Sequence, residues 1–367
     1  VKRVYLGTRK GLFVLERKKK ASWDVASHSF VGDPVSMVFP DDRDGTVYAA
    51  LDLGHFGVKL RRSEDGGENW KEVSAPSYPS SNDGPDEAPS LKLIWSLVGA
   101  SSVPGTLWAG TIPGGLFRSD DGGESWRLNQ SLWERPERTD WFGGGYDEPG
   151  IHSIIVAPED VDHITVGVSC GGVWLSEDGG KSWRTRTKGM FAAYMPPEKR
   201  EEPAIQDPHL VVRSRTSRDT LWAQHHNGIF RSNDGGAQWD EVHGEPSSFG
   251  FAVAVHPTDP DTAWFVPLVK DECRVPVDGK VVVSRTRDGG KSFEVLRKGL
   301  PQKNAFDVVF RHGMDVDDTG DVLAIGSTTG SLWVSEDQGD SWEAVSHNLP
   351  PVYCVRFANS AQSTMAE

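Results

Sequence analysis

The pair His225-His226, within Gln224-His225-His226-Asn227-Gly228, and the single residues His152 and His209 are the side chains here best suited to chemistry near neutral pH. A neutral imidazole is both a proton carrier and a metal ligand. Carboxylates stand close by in the chain, with Asp147 and Glu148 shortly before His152 and Asp207 just before His209. Arg274, beside Asp271 and Glu272, could hold an anionic group or simply close a surface ion pair. Together these types permit general acid–base work, or glycoside cleavage by two carboxylates whose separation sets the stereochemistry. They also permit a divalent metal held by imidazole and carboxylate, although no known metal-ligand spacing is present. Each has a plainer alternative. Asn227-Gly228 favours a tight turn by itself, His152 could bond a backbone group, and Cys170 suits a buried small residue better than a nucleophile.

What must position these residues is written in a repeat. Ser63-Glu64-Asp65-Gly66-Gly67-Glu68-Asn69-Trp70 returns as SDDGGESW from Ser119, SEDGGKSW from Ser176, SNDGGAQW from Ser232, TRDGGKSF from Thr286 and SEDQGDSW from Ser335. The aspartates Asp65, Asp121, Asp178, Asp234, Asp288 and Asp337 are separated by 56, 57, 56, 54 and 49 residues, and a fixed period in this range marks a repeat fold. A short Asp bonds the backbone N–H groups of its own turn, Gly supplies positive φ, and Ser or Thr adds a hydroxyl bond. An apolar strand precedes each copy and an aromatic opens the next, so the unit is a hairpin whose ring packs between sheets. These aspartates read as structural.

The octapeptide resembles the Asp-box, or BNR, repeat of the β-propeller superfamily that includes sialidases. The resemblance covers nearly the whole chain. It implies four-stranded antiparallel blades with the Asp-box on the turn between third and fourth strands, on the face away from any ligand. The expected fold is all-β, a single seven-bladed propeller over residues 1–357 followed by a tail over 358–367. Abundant glycine (40), proline (23) and tryptophan (14), with almost no helical periodicity, suit many short strands. The first blade lacks one strand, and Val352–Phe357 supplies it, closing the ring and removing free sheet edges. Complete blades begin at Val35, Leu91, Ile151, His209, Phe249 and Phe306.

In such a blade the starts of first strands and the second-to-third-strand turns share one pole. That pole collects His152, His209, Gln224, His225, His226, Asn227 and Arg274. Trp141, Tyr146, Asp147 and Glu148 reach it on the long connection 129–150, Tyr194 and Asp207 on 187–208. Ser74–Ser90 is a third long connection, and Leu268–Lys280 an expanded hairpin. His312, placed after the last inner strand, reads as structural.

The formal charge of −14 argues against a nucleic-acid or anionic-membrane surface, and no run of eighteen apolar residues occurs. Three widely spaced cysteines fit a reducing, cytoplasmic setting, a leader removed ahead of Val1 being the alternative. The resemblance implies a small-molecule or glycan ligand, bound and then cleaved as by a glycosyl hydrolase. Sialidase activity does not follow, since there is no Arg-Ile-Pro segment and seven blades replace six. Xyloglucan-cleaving relatives use two propellers, and this chain has one. A non-catalytic docking propeller with a protein partner, like those assembling photosystem II, and a metal-assisted hydrolase or lyase of a non-sugar substrate are the alternatives. No cofactor is required by the sequence; a divalent metal is the candidate.

Overall fold

A computed structural model describes residues 2–19, 22–79 and 88–358. The tail beyond 358, part of the connection 74–90 and Val1 lie outside the described residues. The described residues form seven antiparallel sheets. Their innermost strands are Val352–Ala358, Val35–Pro40, Leu93–Gly99, Gly150–Ala157, Pro208–Arg213, Gly250–Val255 and Met314–Val316. Each neighbours the next, and the last neighbours the first, so the blades form a closed ring around a central channel.

The ring is closed as the sequence predicts. Val352–Ala358 pairs antiparallel with Arg3–Thr8, setting Val4 against Phe357 and Leu6 against Val355. The first blade is therefore assembled from both ends of the described chain, and it has the same four strands as its neighbours. Blade six carries an additional short strand, Cys273–Pro276, on its expanded hairpin. Blade seven departs from expectation. The inner strand is Met314–Val316 rather than Phe306–Phe310, because Val308 and Val309 are buried in the connection that leads into the blade.

The six repeat turns share one hydrogen-bond pattern. At Ser176 the hydroxyl donates to Asp178 Oδ1 (2.8 Å) and accepts the Gly180 N–H (2.7 Å), while Asp178 Oδ1 accepts the Ser182 N–H (2.9 Å). The first glycine of the turn lies at φ 68–74° in five copies, and Gln338 takes the same left-handed conformation (φ 59°) in the sixth. Each turn is also a joint between blades. A methyl on Gly180 would touch Trp108 of the preceding blade at 3.5 Å, and one on Gly290 would touch Trp222 at 3.4 Å. Tyr5 Oη donates to the Gly66 carbonyl and Trp264 Nε1 to the Gln338 carbonyl, in each case across a blade boundary. Tyr5, Tyr48, Trp108, Trp222 and Trp264, each on the second strand of its blade, are fully buried at these joints.

Ser176→Ala would leave the buried Gly180 N–H without an acceptor, a loss of ~1–3 kcal/mol, seen as a lower urea midpoint at unchanged m. Asp178 is held down to about 2 by the hydroxyl and amide of Ser182 and by the Ser176 hydroxyl. Its stabilising contribution is therefore complete above the unfolded-chain value of ~3.9 and is lost as pH falls through about 2. The urea midpoint should drop over that window, and Asp178→Asn should flatten part of the drop.

Candidate functional site

At the pole opposite the repeat turns, the channel opens into a cavity of about 1080 Å³. A regular strand would alternate its side chains between the two blade faces and send none along the channel. The inner strands solve this with bulges. Six of the seven lose register against their second strand at the pole end, and the additional residues are Tyr353, Ser36, Trp95, His152, His209 and Phe251 with Ala252. A bulge re-aims a side chain. All of these except His152 and Ala252 line the cavity, and His152 lines a second cavity of about 490 Å³ further down the channel. Arg311 and His312, on the approach to the seventh inner strand, line both and form the partition between them.

One wall carries three potential ligand atoms. Asp207 Oδ2 lies 3.5 Å from His209 Nε2 and 3.4 Å from His226 Nδ1. The ligand atoms of these three residues all fall within 4.8 Å of one another, a spacing that could hold a metal ion. Each is held from behind. Ser169 Oγ donates to Asp207 Oδ1 at 2.8 Å, His209 Nδ1 bonds the Gly250 carbonyl at 2.7 Å, and His226 Nε2 faces Asp271 Oδ2 at 3.6 Å. His209 stacks on Phe251 with ring centroids 4.5 Å apart. Burial outweighs the nearby carboxylate and keeps the His209 imidazole neutral. Asp207 is almost wholly buried, which opposes its charge, yet His209, His226 and Arg311 hold it well below the ordinary carboxylate range.

Beside this wall stands Arg311, only 8% exposed. Its Nε has no hydrogen-bond partner, its Nη2 reaches Ser169 Oγ only at 3.5 Å, and among the described residues it forms no ion pair within 4 Å. Its guanidinium lies over Trp95 (4.8 Å) and Phe251 (5.5 Å). Burial lowers its pKa, with Asp207 the main group opposing that shift. Arg274 also lines the cavity and pairs with Asp271.

The remaining residues singled out by sequence are placed as follows. Tyr146 is half exposed at the cavity wall and meets Trp95 edge-on at 5.1 Å. Tyr194 lines the cavity against His226 and donates to the Ile205 carbonyl. His225 is not a lining residue. Its Nε2 lies 3.1 Å from the Asp207 N–H and its Nδ1 3.1 Å from the Asn227 N–H, so it can accept only one of the two in a given tautomer. Burial takes its pKa down to about 3. His152, equally buried, bonds Ser153 Oγ and accepts at its carbonyl from His312 Nε2. Gln224 donates to the carbonyls of Gly228 and Ser248, and Asn227 accepts the Ala193 N–H. Trp141 is a core residue against Trp174. Glu148 pairs with Lys92, and Asp147 is exposed outside the cavity lining.

Cys170 lines the cavity with its thiol pushed up by burial and by Asp207, so it is no thiolate at neutral pH. Arg311 was missed by sequence reasoning because the inner strand of blade seven was expected to start at Phe306, eight residues before Met314. The available signal was positional: Arg311-His312-Gly313 precedes Met314 as Gly150-Ile151-His152 opens the inner strand of blade four.

No protein-family model matches the sequence, and no curated protein matches it. Solved structures of similar fold include an ancestral GH74 enzyme (17% identity, TM-score 0.59, covering 89% of this chain and 38% of that one). This chain thus spans well under half of that enzyme. YCF48 from Cyanidioschyzon merolae aligns over 91% of this chain and 94% of its own, at 16% identity and TM-score 0.55. A functionally unknown protein from Desulfotomaculum acetoxidans DSM 771 aligns over 98% and 99%, at 11% identity and TM-score 0.59. At these identities the likeness is one of fold. Among the described residues no helix is long and apolar enough to cross a membrane.

The connection 129–150 enters the cavity through Gly143-Gly144-Gly145, tied to Cys170 by paired backbone hydrogen bonds from Phe142. A methyl on Gly144 would sit 2.8 Å from Ser169 Oγ and 3.3 Å from Asp207 Oδ2, whereas one on Gly145 would meet nothing nearer than 3.9 Å. Gly144→Ala should therefore lower stability by ~1–3 kcal/mol through overpacking, and Gly145→Ala should leave the urea midpoint within error of the parent.

Proposed function

We propose that the pole cavity binds a small acidic carbohydrate, with Arg311 holding its carboxylate or phosphate and the Asp207–His209–His226 wall facing the bond to be cleaved. Arg311 carries this reading. An unpaired buried guanidinium costs several kcal/mol, and a protein retains such a charge where a ligand supplies the counter-ion. The cavity has the size of a small-ligand site. Tyr146, Phe142 and Phe56, all partly exposed on its wall, offer flat apolar surface to a sugar ring.

The chemistry favoured is hydrolysis or elimination with His226 as the acid–base group, because it alone of the three wall residues keeps some solvent contact while touching two carboxylates. Asp207, held ionised, suits a supporting rather than a proton-donating role. The docking alternative is less well supported: the cationic and imidazole groups lie down inside a cavity, where a small molecule reaches them and a flat partner surface does not. The six repeat turns, on the far face, are read as Asp-boxes with a purely architectural role.

Thermal-shift titration with galacturonate and glucuronate against galactose and glucose tests the ligand class. The acids should raise Tm and the neutral sugars should not. Arg311→Met should abolish the acid-dependent shift while raising the urea midpoint of the ligand-free protein, since it removes an unpaired buried charge. Equal shifts from neutral sugars, or an Arg311→Met protein that still responds to the acids, would sink the proposal.

A further inference from the structure

We propose that Asp207, His209 and His226 bind a divalent first-row transition ion, zinc being the first to test, with a coordination position left open toward the cavity. The inference deepens the ligand-site proposal, and depends on it only for what occupies the open position; with an ion bound, His226 is a ligand and the acid–base role passes to a water at that open position.

The spacing is the first argument. A charge-assisted N–H···O bond measures ~2.7–2.9 Å, and Asp207 Oδ2 is 3.5 and 3.4 Å from the two imidazole nitrogens, too far for either to be one. Two ligand atoms sharing a tetrahedral zinc with bonds of ~2.0–2.1 Å lie ~3.3 Å apart. Both separations match that edge.

The tautomer is the second argument. His209 Nδ1 sits 2.7 Å from the Gly250 carbonyl, an acceptor, so Nδ1 carries the hydrogen. The neutral ring then aims a lone pair from Nε2 at a carboxylate oxygen. That contact is unfavourable unless a proton or a metal cation lies between the two atoms, and at 3.5 Å the gap is wider than a charge-assisted proton bridge takes.

The outer contacts are the third. Metal-bound imidazoles generally donate their other N–H to a carbonyl or carboxylate, and metal-bound carboxylates are hydrogen-bonded in turn. Here His209 has the Gly250 carbonyl and Asp207 has the Ser169 hydroxyl on its second oxygen, while His226 Nε2 faces Asp271 at 3.6 Å. Two of the three ligands are thus oriented by a hydrogen bond to a group that does not itself reach the ion. Two nitrogens and one oxygen suit zinc, manganese or iron rather than calcium or magnesium. Three protein ligands leave room for a ligand oxygen or a water, whose pKa the ion would lower.

The test is zinc loading of the full chain, removal of excess by gel filtration and elemental analysis, with cobalt substitution read by visible absorption. One equivalent of zinc, a rise in Tm on loading, and a cobalt spectrum of four-coordinate type are expected. His226→Ala and Asp207→Asn should each weaken zinc by at least ~100-fold, and Ser169→Ala, which touches no ion, by ~10–100-fold. Circular dichroism of the metal-free variants checks that each folds. Retention of less than a tenth of an equivalent by the parent, or equal retention by the folded His226→Ala and Asp207→Asn proteins, overturns the inference. The two proposals fail separately: an acid-responsive protein without zinc removes only the metal, and a zinc protein indifferent to uronates removes only the acidic ligand.

Discussion

The packing of the repeat turns against the preceding blade, in five of the six against a buried aromatic, is the interaction on which the rest of this molecule depends. A lone four-stranded blade has two apolar faces and cannot bury both. In the ring each face meets a neighbour, and the joint is made specific where Tyr5 or Trp264 donates to a turn carbonyl across the boundary. The self-satisfied Ser–Asp turn matters because it brings a polar loop into this joint without unpaired amides. Closure then follows from the chain ends, which complete one blade together, so that Arg3–Thr8 is not left as an open edge toward the channel.

That rigid ring makes the central opening usable. Inner strands converge there, and regular strands would deliver only backbone. The bulges at the pole ends convert six of them into carriers of one inward side chain each. Since a bulge interrupts pairing, it is tolerable only where outer strands hold the blade. The site is therefore built at the expense of regularity in the most constrained strands.

Charge is placed in the same spirit. Arg311 and Asp207 are both buried, yet neither is directly paired with the other. Each acts on the other through space, as the opposite directions of their influence show. A direct ion pair would serve stability better; instead the two are linked only through the Ser169 hydroxyl, 2.8 Å from Asp207 Oδ1 and 3.5 Å from Arg311 Nη2, which leaves both available to a third body.

The residues themselves determined the architecture. Six copies of Ser/Thr-x-Asp-x-Gly at near-constant spacing, with aromatics at fixed offsets, specify turns and joints locally, and local hydrogen bonds are legible wherever they repeat. The closing strand at Val352 was legible for the same reason, as the strand needed to complete the first blade. His209, His226, Asp207, Tyr146, Tyr194 and Arg274 could be assigned to one pole from topology alone. What topology could not supply was direction. His225 and His226 are adjacent on one turn, yet the structure sends one toward backbone amides and the other into the cavity. Trp141 and Glu148 reach the pole region but are taken up by Trp174 and Lys92. Arg311 was hidden because a single buried Val308-Val309 pair in a connection imitates a strand. Side-chain direction at a bulge or a tight turn depends on which neighbour arrives from another blade, and that is decided only when the ring closes.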